Sequence, residues 1–223
     1  MKLQQQCELI LPGWVDDFVS GWLSKPAAGL ATVEQRMQLA IALAAQNVLS
    51  KTGGPFGAIV VAQDRGMLVG AGVNLVTSLR LSMAHAEIVA LSLAQRALNS
   101  WDLGNMGELQ LVTSCEPCAM CFGAVPWSGV SSIVCGARKE DAAAAGFDEG
   151  DKPVDWTAAL RKRGIEVRQD VLRDEAAQVL RAYAAQDGTI YNPGKSSPVA
   201  CNSQSSSDLG EASRSEARRE KET

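Results

Sequence analysis

The sequence predicts an α/β fold in which one central sheet is covered by helices on both faces. Three observations carry that prediction. Apolar, β-branched stretches at 57–62, 67–71, 109–113, 132–136 and 165–168 read as strands. Segments at 33–50, 85–98, 118–126, 155–163 and 173–185 have helical composition or helical spacing of their apolar residues. The strands then alternate with the helices along most of the chain, which is the pattern of a sheet sandwiched between helical layers.

Residues 1–31 form an N-terminal extension. Trp14, Phe18 and Trp22 stand at i, i+4 and i+8, so a short amphipathic helix that packs on the main body is expected. The main domain spans 32–192. Thr32 and Gln35 fit a capping box at the start of the 33–50 helix, and Gly53-Gly54-Pro55 ends it. Gln63-Asp64-Arg65-Gly66 is a turn between the first two strands, making them a hairpin. Asn74 follows in the loop that leads towards His85. Gly146 closes a short helix at 142–145, and Gly164 separates the 155–163 helix from the strand after it. From 193 to 223 the chain is Ser-rich, charged and poor in apolar residues, and disorder is expected there.

Composition narrows the class. A chain of 223 residues with 46% hydrophobic content suffices for one well-buried domain. The net charge of −4 offers no broad electrostatic footprint for nucleic acid. Of the six cysteines, Cys115, Cys118 and Cys121 cluster while Cys7, Cys135 and Cys201 are scattered, unlike a disulfide framework. The N-terminus lacks the apolar core of a signal peptide, and no apolar run approaches the ~20 residues of a membrane span. A cytoplasmic protein with no membrane partner is the expectation.

The chemistry concentrates in two motifs. The single histidine of the chain lies in His85-Ala86-Glu87, and Cys115-Glu116-Pro117-Cys118-Ala119-Met120-Cys121 follows farther on. Alone, a histidine is more often a core or surface residue, and a C-x-x-C pair can equally be a redox pair or small buried hydrophobes. Together, with Pro117 directly before Cys118, they match the pattern of zinc nucleobase deaminases. His85, Cys118 and Cys121 are three ligands for Zn2+, and a catalytic site leaves the fourth position to water. Cys115 could close the site as a fourth ligand. We favour it as a non-ligand at a strand end, because Pro117 starts a helix that aims Cys118 and Cys121 at one point.

Positions i and i+2 point apart on a helix, so His85 and Glu87 serve one site only if the helix begins near His85. Two helix N-termini would then converge on the ion and help hold both cysteines as thiolates. Such an ion lowers the pKa of a bound water towards ~7, and Glu87 is placed to move the protons of a hydrolysis that releases ammonia.

These residues resemble the cytidine deaminase superfamily and, within it, the small bacterial-type guanine deaminases. The resemblance covers roughly residues 33–150 and rests on the run from Gly53 to Ala58, Asn74, His85-Ala86-Glu87, the run from Thr113 to Ala124, Trp127, and Ala145-Gly146-Phe147-Asp148-Glu149. It implies a three-layer α/β/α sandwich with a five-stranded mixed sheet, Zn2+ as cofactor, a small nucleobase as substrate and a homodimer. It implies further that Asn74 reads the polar edge of a purine, that Phe56 and Trp127 wall the base pocket, and that Glu149 recognises guanine and shuttles protons to the departing amine. Backbone groups of Ala86 and Cys118 are candidate substrate contacts. In some relatives C-terminal segments are exchanged between subunits and close the site, a role open to 189–193 here.

Duller readings stand beside these. Asn74 is also a common turn residue. Phe56 and Trp127 are also candidate core aromatics, and Asp148-Glu149 a solvated acidic pair. The expected reaction is guanine plus water to xanthine plus ammonia. Its rivals are an aminotriazine (ammeline) or cytosine deaminase, a tRNA adenosine deaminase disfavoured by the acidic balance, and a riboflavin-pathway deaminase, whose longer cysteine motif is absent. From another class comes a non-catalytic zinc scaffold with Cys115 as fourth ligand.

Overall fold

Gly57–Ala62 (β1) and Met67–Val73 (β2) pair antiparallel across the turn at 63–66, with a register shift between Val60 and Val61. The structure is a computed structural model that describes residues 6–25, 29–192 and 194. Leu109–Cys115 (β3) adds antiparallel to the other edge of β1. Ser132–Ala137 (β4) and Glu166–Arg168 (β5) then extend the sheet in parallel, giving the five-stranded mixed order β2-β1-β3-β4-β5. Parallel neighbours need a crossover connection. Helix α5 (Ala119–Ser128) provides it between β3 and β4, and α7 (Trp156–Arg161) lies between β4 and β5.

β1, β3 and β4 are buried along their whole length, as strands covered on both faces must be. The pleat of β1 sends Ala58, Val60 and Ala62 into a cluster with Ala86, Ala90 and Ala94 of α4 (Ala86–Ala97) and with Val125 of α5. Ile59 and Val61 point the other way, against Met37, Leu39, Ala40 and Leu43 of α2 (Val33–Leu49). A third cluster joins α6 (Lys139–Ala144) and α8 (Arg173–Ala185) to Phe147, with Tyr191 packed against it. These clusters make the α/β/α layering.

Local signals place the elements where the sequence indicates. The Thr32 hydroxyl accepts from the Gln35 N–H and the Gln35 side chain accepts from the Thr32 N–H, both at 3.1 Å, completing the capping box. Helix α1 (Trp14–Leu23) lays Trp14, Phe18 and Trp22 in a row of ring contacts, and the Trp14 indole donates to Thr52 Oγ1 at 3.1 Å. Two small elements escape the periodicity: α3 (Val76–Leu79) and a 3-10 turn at Leu103–Met106, each too short for a repeat to show. Apart from Gly194, the expected tail at 193–223 lies outside the described residues. Among the described residues no helix is long and apolar enough to cross a membrane.

Gly72 sets how closely β2 meets α4. A Cβ there would lie 2.3 Å from the Ala86 carbonyl oxygen and 2.5 Å from the Ala90 nitrogen. Only glycine permits this approach to the first turn of α4, the turn at which His85 and Glu87 stand.

Candidate active site and metal centre

The site lies beyond the C-terminal end of β3, where ligand sites of open α/β sheets gather. β1, running opposite, contributes its N-terminal end there, since Ala58 pairs with Thr113. His85 is the N-cap of α4 with extended backbone (φ −70, ψ 154), and Cys118 is the N-cap of α5 (φ −64, ψ 175). The two helix N-termini therefore meet here. Their partial positive charge favours thiolate. Cys118 Sγ stands 3.5 Å from His85 Nδ1, and Cys121 follows within the first turn of α5.

The ligand atoms of His85, Cys118 and Cys121 all lie within 4.8 Å of one another, and among the described residues they are the one such group of three or more. A borderline-soft donor set of one imidazole nitrogen and two sulfurs suits zinc. Bonds of about 2.0–2.3 Å from one ion to each atom require separations of this order. Cys115 is outside the group. Its thiol points to the Arg138 carbonyl at 3.7 Å, and burial holds its pKa well above the ordinary thiol value.

The electrostatics agree with a cation site. A hydrogen bond from Cys121, aided by His85, lowers the Cys118 thiol to about 4. The same sulfur pair raises Cys121, first through that hydrogen bond and then through burial. A divalent ion would be held by both sulfurs as thiolates, so its binding would release the thiol protons. His85 is raised: burial opposes its charge, but the Cys118 hydrogen bond and the charges of Glu87, Cys118 and Glu149 outweigh it.

Glu87 is buried at the second position of α4, hydrogen-bonded to Cys121, and raised to about 7 by burial and then by the Cys118 charge. Glu149, also buried, is raised to about 8 by burial, with Cys118 and Glu87 as its next influences. Two carboxyl groups thus flank the ligand cluster. Ala86 is fully buried at the first helical position, where a helix leaves N–H groups without an internal acceptor.

Asn74 is 1% exposed. Its Oδ1 accepts from the Val76 N–H at 3.3 Å, but its buried Nδ2 has no partner. Leaving such a donor unmet costs ~1–3 kcal/mol, so a ligand acceptor is the natural complement. Sequence reasoning misses the residue that holds Asn74. Asn47 of α2, fully buried, donates through Nδ2 to the Asn74 carbonyl at 2.8 Å and to the Gly54 carbonyl at 2.9 Å. A signal for it exists, because Asn47 falls in register with Ala40 and Ala44 on the apolar face of α2.

The aromatic wall differs in part from expectation. Phe56 packs edge-on to Phe147 (4.9 Å), Phe147 meets Tyr191 (5.4 Å), and Tyr191 reaches the His85 ring (6.4 Å). Sequence reasoning does not identify Phe147 and Tyr191 as walls. Trp127 is a correction: it is 84% exposed on α5, and so exposed an indole walls no pocket within one chain. Cys121, Val125 and Ser128 of that helix turn inward, while Trp127, at i+7 from exposed Met120, turns outward. The segment carrying Tyr191 lies against the site of its own chain, with Asn192 Nδ2 donating to the Gly146 carbonyl and Asn192 Oδ1 accepting from the Asp148 N–H.

A five-stranded mixed sheet with one imidazole and two thiols at paired helix N-termini, and a carboxyl group two residues from the imidazole, defines a zinc-dependent hydrolytic deaminase. Comparison with known proteins agrees. Residues 31–137 match the family described as the cytidine and deoxycytidylate deaminase zinc-binding region. The chain is 38% identical over 128 residues to a guanine deaminase of Bacillus subtilis, covering 55% of this chain and 79% of that protein. It is 33% identical over 129 residues to a tRNA-specific adenosine deaminase of Buchnera aphidicola, covering 58% and 79%. A solved structure of guanine deaminase from Nitrosomonas europaea superposes with a TM-score of 0.73 at 45% identity, covering 83% of this chain and all (100%) of that one. The chain belongs to the zinc-dependent cytidine and deoxycytidylate deaminase family.

Proposed function

We propose that this protein hydrolyses guanine to xanthine and ammonia, a step of purine catabolism. The observation that carries the reading is the buried, unpartnered Nδ2 of Asn74 beside a zinc-deaminase site, a donor suited to a ring nitrogen or carbonyl of a purine. Similarity supports the choice of purine: the relatives include guanine deaminases, and two similar structures hold 8-azaguanine and 2,6-diaminopurine.

His85, Cys118 and Cys121 hold the zinc, which when bound supplies an activated water near neutral pH. The chain's own groups do the rest. Asn74 and the wall of Phe56, Phe147 and Tyr191 orient the base with its amino-bearing carbon towards the cluster. The Glu87 carboxylate takes a proton from the attacking water and passes it to the ring nitrogen beside that carbon. As the carbon–nitrogen bond breaks, the remaining proton of the added hydroxyl moves by way of Glu87 or Glu149 to the amine, which leaves as ammonia. Water adds one oxygen and two hydrogens, and ammonia carries away one nitrogen and three hydrogens, so the product has one oxygen more, one nitrogen less and one hydrogen less than guanine. Ala86, at the buried start of α4, offers its N–H to the substrate edge.

Ammonia release from zinc-loaded protein, measured with guanine, ammeline, cytosine, adenine and a tRNA, tests the substrate. Guanine is expected to be turned over first. Turnover of another member of that set with guanine left intact would overturn the proposal. Replacing Asn74 with alanine is expected to lower kcat/KM for guanine about 10–100-fold with zinc content unchanged, the loss of one buried hydrogen bond; steady-state kinetics and metal analysis check it.

We also propose a cytoplasmic homodimer. The free thiols among the described cysteines fit a reducing compartment. Helix α5 carries no Asp, Glu, Lys or Arg, yet it exposes Met120, Gly123 and Trp127 along one face. An uncharged exposed face of this kind suits a second copy of the same helix. Trp127→Glu is expected to convert dimer to monomer in sedimentation equilibrium, while a monomeric wild-type protein would refute the dimer.

A further inference from the structure

We infer that Lys152, together with Glu116, is a positioning pair that locks the cysteine turn and the Glu149 loop to each other. The inference rests on the zinc-deaminase reading of the site and concerns groups that touch neither metal nor substrate. The two side chains are 4% and 6% exposed and lie 2.8 Å apart, Lys152 Nζ to Glu116 Oε1. Lysine is almost never so buried unless it is paired. Lys152 Nζ also donates to the Pro117 carbonyl at 2.7 Å and lies 4.8 Å from the centre of the Trp156 ring. The second carboxylate oxygen of Glu116 accepts from Gln169 Nε2 at 3.4 Å.

A buried ion pair is seldom the cheapest way to stabilise a core, since an apolar pair of similar volume often does as well. What this pair supplies is direction. The Pro117 carbonyl is the group immediately before Cys118, so a cation fixed upon it sets the orientation of the peptide that launches Cys118 at the N-cap of α5. On the far side of Cys118, the Ala119 N–H donates to the Glu149 carbonyl at 2.9 Å. Two stitches, Lys152 to Pro117 and Ala119 to Glu149, therefore straddle the ligand. Because Lys152 and Glu149 lie on one short segment, ligand and acid are held as a unit. Lys139 Nζ adds a third tie to that segment through the Gly150 carbonyl at 3.3 Å. Outer groups that orient metal ligands are known to matter for the metal itself, typically 10–100-fold in affinity.

The test compares Lys152→Met with the double variant Lys152→Met/Glu116→Gln in the full-length protein. Readouts are thermal melting, zinc affinity by chelator competition, and the visible spectrum of the cobalt(II)-substituted protein. The single variant leaves the Glu116 charge buried alone and should melt lower. The double variant removes both charges and should recover the melting temperature, while zinc affinity stays about 10–100-fold weaker and the cobalt spectrum is altered. A double variant with wild-type zinc affinity and cobalt spectrum would overturn the inference and leave the pair as a purely structural contact. Even if the single variant fails to fold, the double variant decides. No substrate enters these readouts, so failure of the guanine assignment would show separately, as absent turnover by a zinc-loaded wild-type protein.

Discussion

Glu87→Gln is expected to abolish ammonia release, by about 10²–10⁴-fold in kcat, while the protein keeps its zinc and its fold. The expectation follows from position. Glu87 is buried beside Cys121 but is outside the ligand group, so the metal does not need it. Glutamine has the same shape and can occupy the same space without placing a charge in it. It cannot take a proton from water and hand it on, and that transfer is what the carboxylate contributes. Metal analysis, circular dichroism and an ammonia assay on one preparation make the check. Retained turnover would remove Glu87 from the chemistry. Lost zinc would instead make it a ligand and close the fourth position.

Cys118→Ser is expected to lower zinc content from one ion per chain to near zero and ammonia release to background. A serine hydroxyl is a poor substitute for a thiolate held near 4 by Cys121 and His85. The loss should also appear in stability. Zinc at 100 times its dissociation constant stabilises a folded protein by about 2.7 kcal/mol, so added zinc should raise the melting temperature of the wild type and not of the variant. Cys115→Ser supplies the contrast. Its thiol faces the Arg138 carbonyl, away from the ligand group, and this variant should hold zinc as the wild type does. Zinc loss from Cys115→Ser would favour a closed, four-ligand structural site and the scaffold reading.

Much of this arrangement is legible in the chain itself, for identifiable reasons. Helix α2 announces its start through Thr32 and Gln35, because a capping box is a contact between residues three apart. The β1–β2 hairpin is visible because its turn and both strands adjoin. Helix starts near His85 and Cys118 are legible because apolar helical runs follow them, although α5 begins at Ala119 with Cys118 as its N-cap, so Pro117 precedes the helix and does not start it. Spacing within one segment encodes all of these.

Other features have no local trace. Asn47 looks like an ordinary polar residue until the fold brings it against Asn74, 27 positions away. Lys152 sits among charged residues and reads as solvated, yet it is buried against Glu116, 36 positions away. The family resemblance implies Trp127 as a pocket wall, but the helix turns that position outward. Tyr191 lies in the 189–193 segment that the resemblance opens to closing the site, but its packing against Gly54 and His85 appears only in the fold.

By itself, then, the sequence determined the identity of the elements and the chemistry of the metal ligands, since periodicity, caps and donor types are properties of neighbouring residues. The tertiary structure alone decided the strand order, the partners of the buried amides and ion pair, and which aromatics face the substrate. Those are properties of pairs far apart in the chain, and burial and hydrogen-bond satisfaction exist only once the sheet has brought them together.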